Sequence, residues 1–593
     1  GVTGRWIMEA LISDSQLATF KAYFPQLEIY NSQYSCVCFD DTDDDSQNIT
    51  NLDNGTSKEE YEASGHFVRI FENAHPYKTT FDSREDMLRA RQIYDFNYTL
   101  MADGSEYDPT DQAGEGFDIM LGFGLYWYKG VNDFKNQKKY LFACSYQTRP
   151  LSTATKTNRK KLSEIMVKEH SCVYTNDNGT ALSKGDSYEI VDNANMNVHS
   201  LDVDGMRQVR FPGINNALIG AIFVDENDKV ISTFNMAVSH SLFDFTAGED
   251  YVFCDVPAGS KRIVFTSPIN ALTNDLEAIA VDSAAIEAIE PDWVWVPMRF
   301  VGIYGMSVDA LMRPRSISGV KTRTGTGTST TNPDWQYDKD GNVRNASAPT
   351  STMNYTYCDM LNLCELRGKG YHAISYEISK DIANLVMALT GTRDIQAYAG
   401  YGCGSQYTTG ANNFNSYGKV TRKYTGSNIG NIIFGLQNFV GCNWEIMDHI
   451  AANVTSFTSF KKNKRVGIPT DPINAVYHIR DPFTIEERTI QGQSTNSGYC
   501  VARVKFGRFC DVIASRFSTD NSKWNKNYSD GQWYTADRGR CVGRSGLSAH
   551  SNGGLVYSYA VYASSYSYTH FGSRLAFSGN YEIIEEASQP SSE

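Results

Sequence analysis

One stretch near the carboxyl end of the chain carries residue types that are suited to holding a ligand without reacting with it. Between residues 556 and 571 tyrosines alternate with serines and alanines. Tyrosine offers a large, rigid contact area with a polar tip at little entropic cost, and small residues between tyrosines allow a close approach. A buried strand would contain more Val, Ile and Leu. The composition therefore favours a binding surface, and the alternative is an edge strand or loop packed with aromatic side chains.

The predicted ligand contacts are the aromatic and histidine side chains of this stretch and of a segment shortly before it. They are Tyr557, Tyr559, Tyr562, Tyr566, Tyr568, His570 and Phe571, with Trp533 and Tyr534 upstream. Tyrosine faces also stack on sugar rings, so a glycan is one expected ligand. Arg540 and Arg544 lie between the two segments, and we predict that they form ion pairs of the scaffold.

The usual catalytic patterns are missing from the sequence. It contains no G-x-S-x-G elbow, no H-E-x-x-H, no Walker loop and no G-x-G-x-x-G after a strand. Asp448 and His449 are adjacent, and neighbours on a helix do not face each other. A helical interpretation of this segment places Trp444, Met447 and Ala451 on one packed face, and acid–base work by His449 is the alternative. We therefore expect no enzyme, no catalytic residue, no cofactor and no metal site.

An acidic segment at residues 39–60 holds a cluster of oxygen ligands that would suit calcium. It contains Asp40, Asp41, Asp43, Asp44 and Asp45. The glycine and the terminal glutamate of an EF-hand are not at the required offsets. The favoured interpretation is a solvated linker, and calcium binding stays open.

The cysteines point to buried free thiols. The chain has 12 cysteines but no C-x-x-C, so zinc ribbons and redox motifs are excluded. Several cysteines have apolar neighbours, as at Cys254, Cys442 and Cys500. This pattern is typical of a chain that folds in a reducing cytoplasm, and a few disulfides stay open.

The charge and hydropathy of the chain indicate that neither a nucleic acid nor a membrane is its partner. The formal net charge is −14, whereas a nucleic-acid binder needs a basic footprint. The four basic residues within 461–465 are interpreted as a solvated turn. No stretch approaches the roughly 20 apolar residues that span a bilayer, so we expect no membrane insertion.

The length of 593 residues predicts three or four domains. Abundant Tyr, Gly, Ser, Asn and Thr favour a mainly β chain with many short strands and turns. The predicted domains are a strand–helix–strand adaptor and acidic linker at 1–60, a β domain with a short helix near 82–94 at 61–155, a β-sandwich at 156–290, and a binding domain at 291–593.

Two predicted hairpins support the sandwich. Apolar runs at 221–224 and 230–234 flank the turn at 225–228, and a similar pattern places 251–256 and 263–265 on either side of a turn. Strands at this spacing are typical of a β-sandwich, which is the architecture of many carbohydrate-binding modules.

Motifs of the last domain resemble a known fold. They are G-Y-G-C-G at 400–404, N-F-V-G-C-N-W-E at 438–445, G-R-C-V-G-R at 539–544, N-G-G at 552–554 and G-S-R-L-A-F at 572–577. Their order resembles the end of a C-type-lectin fold of the formylglycine-generating-enzyme type. Variable proteins of diversity-generating retroelements share this fold, including phage tropism determinants. The resemblance covers about residues 292–585 and implies an α+β C-type-lectin-like domain at the end of a mainly β, multidomain chain.

The resemblance has an enzyme branch and a binding branch. Formylglycine-generating enzymes need a cysteine pair in the carboxyl-terminal core to hold copper, and here Cys541 stands alone before the final motif. Catalysis is therefore not carried over. In variable proteins, aromatic and polar residues at scattered ligand-facing positions vary between fixed small ones. The resemblance thus implies that the tyrosines of 557–568, His570 and Phe571 vary on a scaffold of Ala560, Ala563, Ser564, Ser565, Gly572, Ser573 and Arg574.

The expected function is recognition of a bacterial surface receptor by a virion protein of a phage tail or fibre, exposed to the extracellular medium. The receptor would be a glycan, such as a capsular polysaccharide, or an outer-membrane protein. Other virion proteins would contact the amino-terminal part, and by analogy the chain would form a homo-oligomer such as a trimer. The alternatives are a structural fibre or decoration protein, a glycan depolymerase with two carboxylates about 5–10 Å apart, and a bacterial surface adhesin.

Overall fold

A computed structural model of the chain describes most residues between 33 and 584. The exceptions within this range are 43–47, 54–64, 94–100, 102–103, 107, 112, 175, 178–179, 215–218, 236–249, 274–275, 290–291, 310–312, 319–321, 324, 326–355, 401–430, 442, 456–475, 483–486, 492–498, 519–527, 529, 535–538, 545–552, 564–565, 567 and 569–570. The predicted strand–helix–strand unit, the basic turn at 461–465 and His570 lie outside the described residues.

The described residues are mainly β, as the sequence predicts. They also include short helical segments, at Gly65–Glu72, Asn270–Thr273, Tyr357–Glu365, Tyr376–Thr390 and Ile395–Ala399, with 3-10 turns at Leu162–Glu164 and Ile286–Ala288. None of these helices is long and apolar enough to cross a membrane. The cysteines whose side chains are described are free and lie in or near the core, which confirms the prediction for them.

The helix predicted near 82–94 is wrong. The chain forms an antiparallel hairpin there, with strands His75–Asp82 and Met87–Gln92. Leu88 and Ala90 are buried between more exposed neighbours, which is the period of two that a strand produces.

Residues 157–281 contain two antiparallel sheets that share one buried cluster. One sheet has the order Val230–Asn235, Gly220–Val224, Arg262–Pro268, Met196–Asp202 and Met166–Lys168, and the other has the order Tyr251–Asp255, Gln208–Pro212, Glu277–Val281 and Thr157–Lys161. Phe211 from the second sheet packs against Phe265 from the first, with ring centroids 5.1 Å apart. This two-layered arrangement is the one that a sandwich of sheets has.

The first predicted hairpin of this region is confirmed, and the second is wrong. Gly220–Val224 pairs with Val230–Asn235. Tyr251–Asp255 and Arg262–Pro268 are both strands, but they lie in different sheets, so the turn between them crosses from one layer to the other. A crossover between facing layers buries the same alternate side chains as a hairpin, so apolar alternation cannot distinguish the two.

A seven-stranded sheet joins distant parts of the chain. Its order is Tyr371–Ala373, Leu575–Phe577, Arg299–Gly302, Asp118–Phe123, His75–Asp82, Met87–Gln92 and Asn580–Ile583. Asp118 of this sheet accepts from Arg315 Nε at 3.2 Å and from Arg367 Nη2 at 2.9 Å. The segments predicted as separate domains at 61–155 and 291–593 therefore share a sheet, and the chain of 157–281 leaves from this shared unit and returns to it.

A five-stranded sheet includes the segment that was predicted as a solvated linker. Its order is Ile49–Asn51, Ser35–Asp40, Lys138–Cys144, Tyr126–Asp133 and Val294–Val296. Asp41 directly follows one strand and is buried with its two cations, at 2.5 Å from Lys139 Nζ and 2.9 Å from Arg393 Nη1. Because Asp41 is paired inside the protein, the linker interpretation is wrong at this position. Asp43, Asp44 and Asp45 lie outside the described residues.

A nine-stranded sheet completes the carboxyl-terminal part. Its order is Glu487–Gln491, Val476–Arg480, Trp444–Ala452, Arg540–Arg544, Ser558–Ala560, Gly531–Tyr534, Tyr499–Phe506 and Val512–Ser518, with Phe571–Gly572 beside the third of these strands. The helical interpretation of the segment that begins at Trp444 is therefore wrong. This strand is buried on both faces, and such strands lack the alternation that separates strand from helix.

The remaining strands form two-stranded pairs. They are Ser171–Val173 with Ile190–Asp192, Asn176–Asp177 with Thr180–Ala181, Ser307–Val308 with Pro314–Arg315, and Ile432–Ile433 with Leu436–Gln437.

The helix Tyr376–Thr390 lies between the three large sheets outside the sandwich and contacts each of them. Ser375 caps its start by accepting from the N–H of Ile378 at 3.3 Å, and Gly391 ends it in the left-handed conformation. Every residue of the helix is buried, including charged ones. The elements around it must therefore supply partners for those charges.

We predict that Asp41→Asn strongly destabilises the protein, because the change leaves Lys139 and Arg393 buried without a countercharge. The free energy of unfolding in urea should fall by about 3–5 kcal/mol. Asp40→Asn is the matched control, since Asp40 is partly exposed and its contact with Lys138 is long, at 3.8 Å. The control should cost less than about 1 kcal/mol, and equal losses in both variants would contradict the role of Asp41.

A candidate aromatic binding surface

Segments from four parts of the nine-stranded sheet bring aromatic side chains together. The register places Trp444 beside Phe571 and Trp533 beside Tyr559. The strand Arg540–Arg544 runs between those of Trp444 and Tyr559. Residues separated by more than a hundred positions thus converge on one region of the sheet.

Trp444 is the centre of this cluster. Its ring stacks on that of Tyr559 with centroids 4.3 Å apart and an interplanar angle of 23°, and on that of Tyr568 at 5.7 Å and 23°. Its Nε1 donates to the Tyr557 hydroxyl at 2.8 Å. The ring of Phe571 lies 6.0 Å away. Trp444 therefore fixes the positions of several predicted ligand contacts.

A second stack extends the cluster outward. The rings of Tyr562 and Tyr566 are nearly parallel, with centroids 4.2 Å apart and an angle of 3°. Tyr568 lies 6.2 Å from Tyr566 and closes the group. On the other side, Trp533 packs against Tyr557 at 5.3 Å.

The cluster has an exposed part and a buried part. The half-buried rings are called here the aromatic platform, and they are those of Trp533, Tyr559, Tyr562, Tyr566 and Tyr568. The base of the platform consists of Trp444, Tyr557 and Phe571, which are only 7%, 3% and 3% exposed.

Not every predicted contact belongs to the platform. Tyr557 and Phe571 present almost no surface, so in this structure they support the platform from beneath instead of facing a ligand. Tyr534 is placed on its strand without a description of its side chain, and His570 lies outside the described residues.

Gly543 allows the central stack to form. It lies between Ile446 and Tyr559 in the register, and a Cβ atom there would stand 3.3 Å from Trp444 Cβ. A side chain at this position would push against the tryptophan on which Tyr559 stacks. The close approach of the two rings therefore depends on a residue without a side chain.

As far as the described residues show, the platform is a surface without a deep pocket. The cavity between the rings has a volume of about 10 Å³ and is lined by Trp444, Tyr559, Tyr562, Phe571 and their neighbours. This volume is at or below the space that one water molecule needs. A ligand would therefore have to lie across the rings, as flat sugar faces and protein side chains do.

The scaffold residues implied by the resemblance hold the base in place. Arg574 is fully buried, binds the Glu445 carboxylate through Nε, and donates from Nη1 to the Ile303 carbonyl at 2.8 Å. Ser573 Oγ donates to the Ile446 carbonyl at 2.9 Å. These bonds tie the segment after Phe571 to the strand that carries Trp444.

Arg544, the last residue of the strand Arg540–Arg544, packs in the scaffold beside the platform. Arg544 lies over the ring of Tyr376 at 5.3 Å and donates to the Leu555 carbonyl at 3.4 Å. Among the described residues it thus contacts a ring and a carbonyl of the scaffold, and the ion pairs of Arg540 and Arg544 stay a prediction.

Asp530 fixes the start of the tyrosine-rich segment. Its Oδ2 accepts from the N–H of Val556 at 2.7 Å, and its carbonyl accepts from the N–H of Val501. A Cβ on Gly554 would fall 1.8 Å from Asp530 Oδ1, so this contact needs a residue without a side chain at position 554. Burial raises the pKa of Asp530 well above its usual value of 3.8.

The platform is electrically neutral at physiological pH. Burial raises the pKa of Tyr559 and of Tyr566 above the ordinary tyrosine value. The nearby carboxylate of Glu445 is buried and bound by Arg574. Any binding by the platform would therefore rest on ring contacts and hydroxyl hydrogen bonds.

Trp444 is the functional residue whose role the sequence did not reveal. It was assigned to a packed helical face, because nothing local shows that its strand lies next to the tyrosine-rich segment. Its place within the N-F-V-G-C-N-W-E motif was the available signal. Among the described residues, His372, Asp448 and His449 form the group with metal-ligand spacing.

No protein-family model matches the chain, and no curated protein matches it.

We predict that Gly543→Val disorders the central stack. The added side chain collides with Trp444, so the near-ultraviolet circular dichroism of the stacked rings should weaken, and stability should fall by about 1–3 kcal/mol. Gly543→Ala should change both properties in the same direction but less. Unchanged spectra in the valine variant would show that the stack does not depend on this glycine.

We predict that Asp530→Asn removes a pH-dependent loss of stability. In the folded protein Asp530 keeps its proton at pH values where the unfolded chain has lost it, so wild-type stability falls as pH rises above about 4. The asparagine oxygen can still accept from Val556. The melting temperature of the variant should exceed that of wild type more at pH 8 than at pH 5.

Asp192→Asn is the control for this prediction, because the Asp192 side chain is 91% exposed. The control should follow the wild-type pH profile. A wild-type profile in Asp530→Asn as well would contradict the assignment of a neutral, buried carboxyl group.

Proposed function

We propose that the protein is a receptor-binding component of a phage virion, in a tail or fibre, and that it recognises a bacterial surface glycan or protein through the aromatic platform. The observation that carries the proposal is the platform itself. Five half-buried aromatic rings lie together over a rigid base. An exposed apolar patch of this kind marks a site of interaction.

The proposed fold of the carboxyl-terminal part is C-type-lectin-like. Supporting this proposal, the G-S-R-L-A-F motif forms a buried element in which Arg574 and Ser573 bind the strand of Trp444. Gly554, the last residue of the N-G-G motif, packs on Asp530. The motifs on which the resemblance rests thus have structural roles next to the tyrosine-rich segment.

The ligand is proposed to be bound by stacking and by tyrosine hydroxyls. Neutral rings without a pocket suit the faces of sugars in a capsular polysaccharide, and they also suit the side chains of an outer-membrane protein. By analogy, the virion protein would form a homo-oligomer such as a trimer and contact other virion proteins through its amino-terminal part.

The alternative functions predict different surroundings for the platform. In a structural fibre or decoration protein, the platform would be covered by a neighbouring subunit. A glycan depolymerase would need a pair of carboxylates, and the described residues around the base contribute Glu445, which is already bound by Arg574. A bacterial adhesin would use the same platform on a different particle.

We predict that replacing Tyr562, Tyr566 and Tyr568 together with serine abolishes binding of the full chain to host bacteria. These rings are half-buried, so their loss should spare the fold. Aromatic contacts at the centre of an interface contribute about 2 kcal/mol or more each, so the apparent affinity should fall at least about 100-fold. Binding to cells can be measured by flow cytometry of the labelled protein.

Tyr174→Ser is the matched control, because Tyr174 is exposed and lies in the sandwich region away from the platform. The full chain is needed because distant segments share the seven-stranded sheet. Protease treatment of the cells and competition with purified capsular polysaccharide distinguish a protein receptor from a glycan. Equal binding by wild type and the triple variant would refute the proposal.

A further inference from the structure

The strand that carries the central tryptophan departs from regular pairing in its middle. Ile446 pairs with Gly543 and Ala451 pairs with Cys541. Residues 447–450 therefore lie opposite a single residue of the neighbouring strand. Extra residues of this kind turn side chains in new directions and are common next to functional sites.

Asp448 and His449 occupy this irregular segment. The Asp448 N–H donates to the Ile374 carbonyl at 2.9 Å, which anchors the segment next to the strand Tyr371–Ala373. His449 has a φ of 60°, in the left-handed region that residues other than glycine seldom adopt. Such a conformation opposes folding and persists only where the surroundings enforce it, as they often do at functional sites.

These two residues meet a second histidine. A carboxylate oxygen of Asp448 and one ring nitrogen each of His372 and His449 lie within 4.8 Å of one another. His449 Nδ1 is 3.4 Å from Asp448 Oδ1, and the two imidazole rings are 5.0 Å apart in a T-shaped arrangement. His372 and Asp448 are buried, and His449 keeps 12% of its side chain exposed. The group is therefore buried except for a small part of the His449 side chain.

The ring of His372 is already oriented. Its Nδ1 lies 2.6 Å from the Ala373 carbonyl and its Nε2 lies 2.7 Å from Ser578 Oγ. The carbonyl can only accept, so Nδ1 carries the proton and Nε2 accepts from the Ser578 hydroxyl. An ion at Nε2 would replace this hydroxyl, which would have to turn away. Metal-binding histidines usually have one nitrogen held by a carbonyl or carboxylate in this way.

The contact between Ser578 and His372 also resembles a nucleophile with its base. A hydrolytic triad needs a carboxylate on the second nitrogen of the histidine. Here that nitrogen meets the Ala373 carbonyl instead. The arrangement therefore suits metal binding better than nucleophilic catalysis.

We propose that His372, Asp448 and His449 form a site for one divalent first-row transition ion, of which zinc is the best match. Two imidazoles and one carboxylate suit zinc, cobalt or nickel better than calcium or magnesium. In a tetrahedral site the ligand atoms are about 3.3 Å apart, given bonds of about 2.0 Å. The three groups need to close by about 1.5 Å at most, and a water molecule would complete the coordination.

The proposed site would join two sheets. His372 belongs to the seven-stranded sheet, and Asp448 and His449 belong to the nine-stranded sheet. An ion bound by all three would stabilise this junction by mass action, since the unfolded chain holds no such group. Its effect would be structural, so it is independent of whether the platform binds a bacterial receptor.

The test uses the full chain after removal of metal with a chelator. Zinc is added while binding is followed by calorimetry and stability by thermal unfolding, and cobalt is added to record the visible spectrum of a tetrahedral site. The variants are Asp448→Asn, which can still accept from the His449 N–H, and His449→Asn, since asparagine tolerates the left-handed conformation.

His170→Asn is the matched control, because His170 is exposed and also has a positive φ, of 49°. Wild type and control should bind one zinc ion per chain and gain thermal stability. Both site variants should bind at least about 100-fold more weakly and gain none.

Two results would overturn the proposal. One is wild-type protein that binds no zinc. The other is an ion that wild type and both site variants hold equally, which would place it on cysteines or other histidines. A cobalt spectrum with thiolate charge-transfer bands would identify the cysteines as the ligands.

Discussion

The structure depends on the pairing of charges that are buried along one helix. Within Tyr376–Thr390, Glu377, Lys380 and Asp381 have lost contact with water. Each must find a partner, because an unpaired buried charge costs several kcal/mol. Burial alone would raise the pKa of Glu377, but the surrounding cations lower it to about 2. The helix can therefore occupy its position only when those cations are in place.

The partners of these charges come from three different sheets. Asp381 binds Arg299 of the seven-stranded sheet, and Glu377 binds Arg488 of the nine-stranded sheet. Lys380 donates to the Tyr128 hydroxyl of the five-stranded sheet at 2.6 Å. Correct folding thus requires all three sheets to dock on one helix, and this requirement explains why the chain interleaves segments that are hundreds of residues apart.

The sequence predicted local features well and long-range ones poorly. The hairpin of Gly220–Val224 and Val230–Asn235 follows from alternation and a polar turn between adjacent runs, so no distant information was needed. The pairing of Asp41 with Arg393 joins positions more than 300 residues apart, and the acidic composition around Asp41 suggested solvent instead. For the candidate site, the tyrosines of the platform could be identified from composition. Their base could not, because Trp444 meets them only through the register of the sheet.

The platform and its supports use different residues, and this division has a physical consequence. Arg574, Asp530 and Gly543 determine the backbone beneath the rings through buried bonds and close approach. Tyr562, Tyr566 and Tyr568 lie above that backbone with part of each ring in solvent, so their replacement removes less packing energy than the replacement of a fully buried ring. A surface built in this way can change its outermost side chains, and hence its ligand, while the interactions that hold the sheets together stay the same.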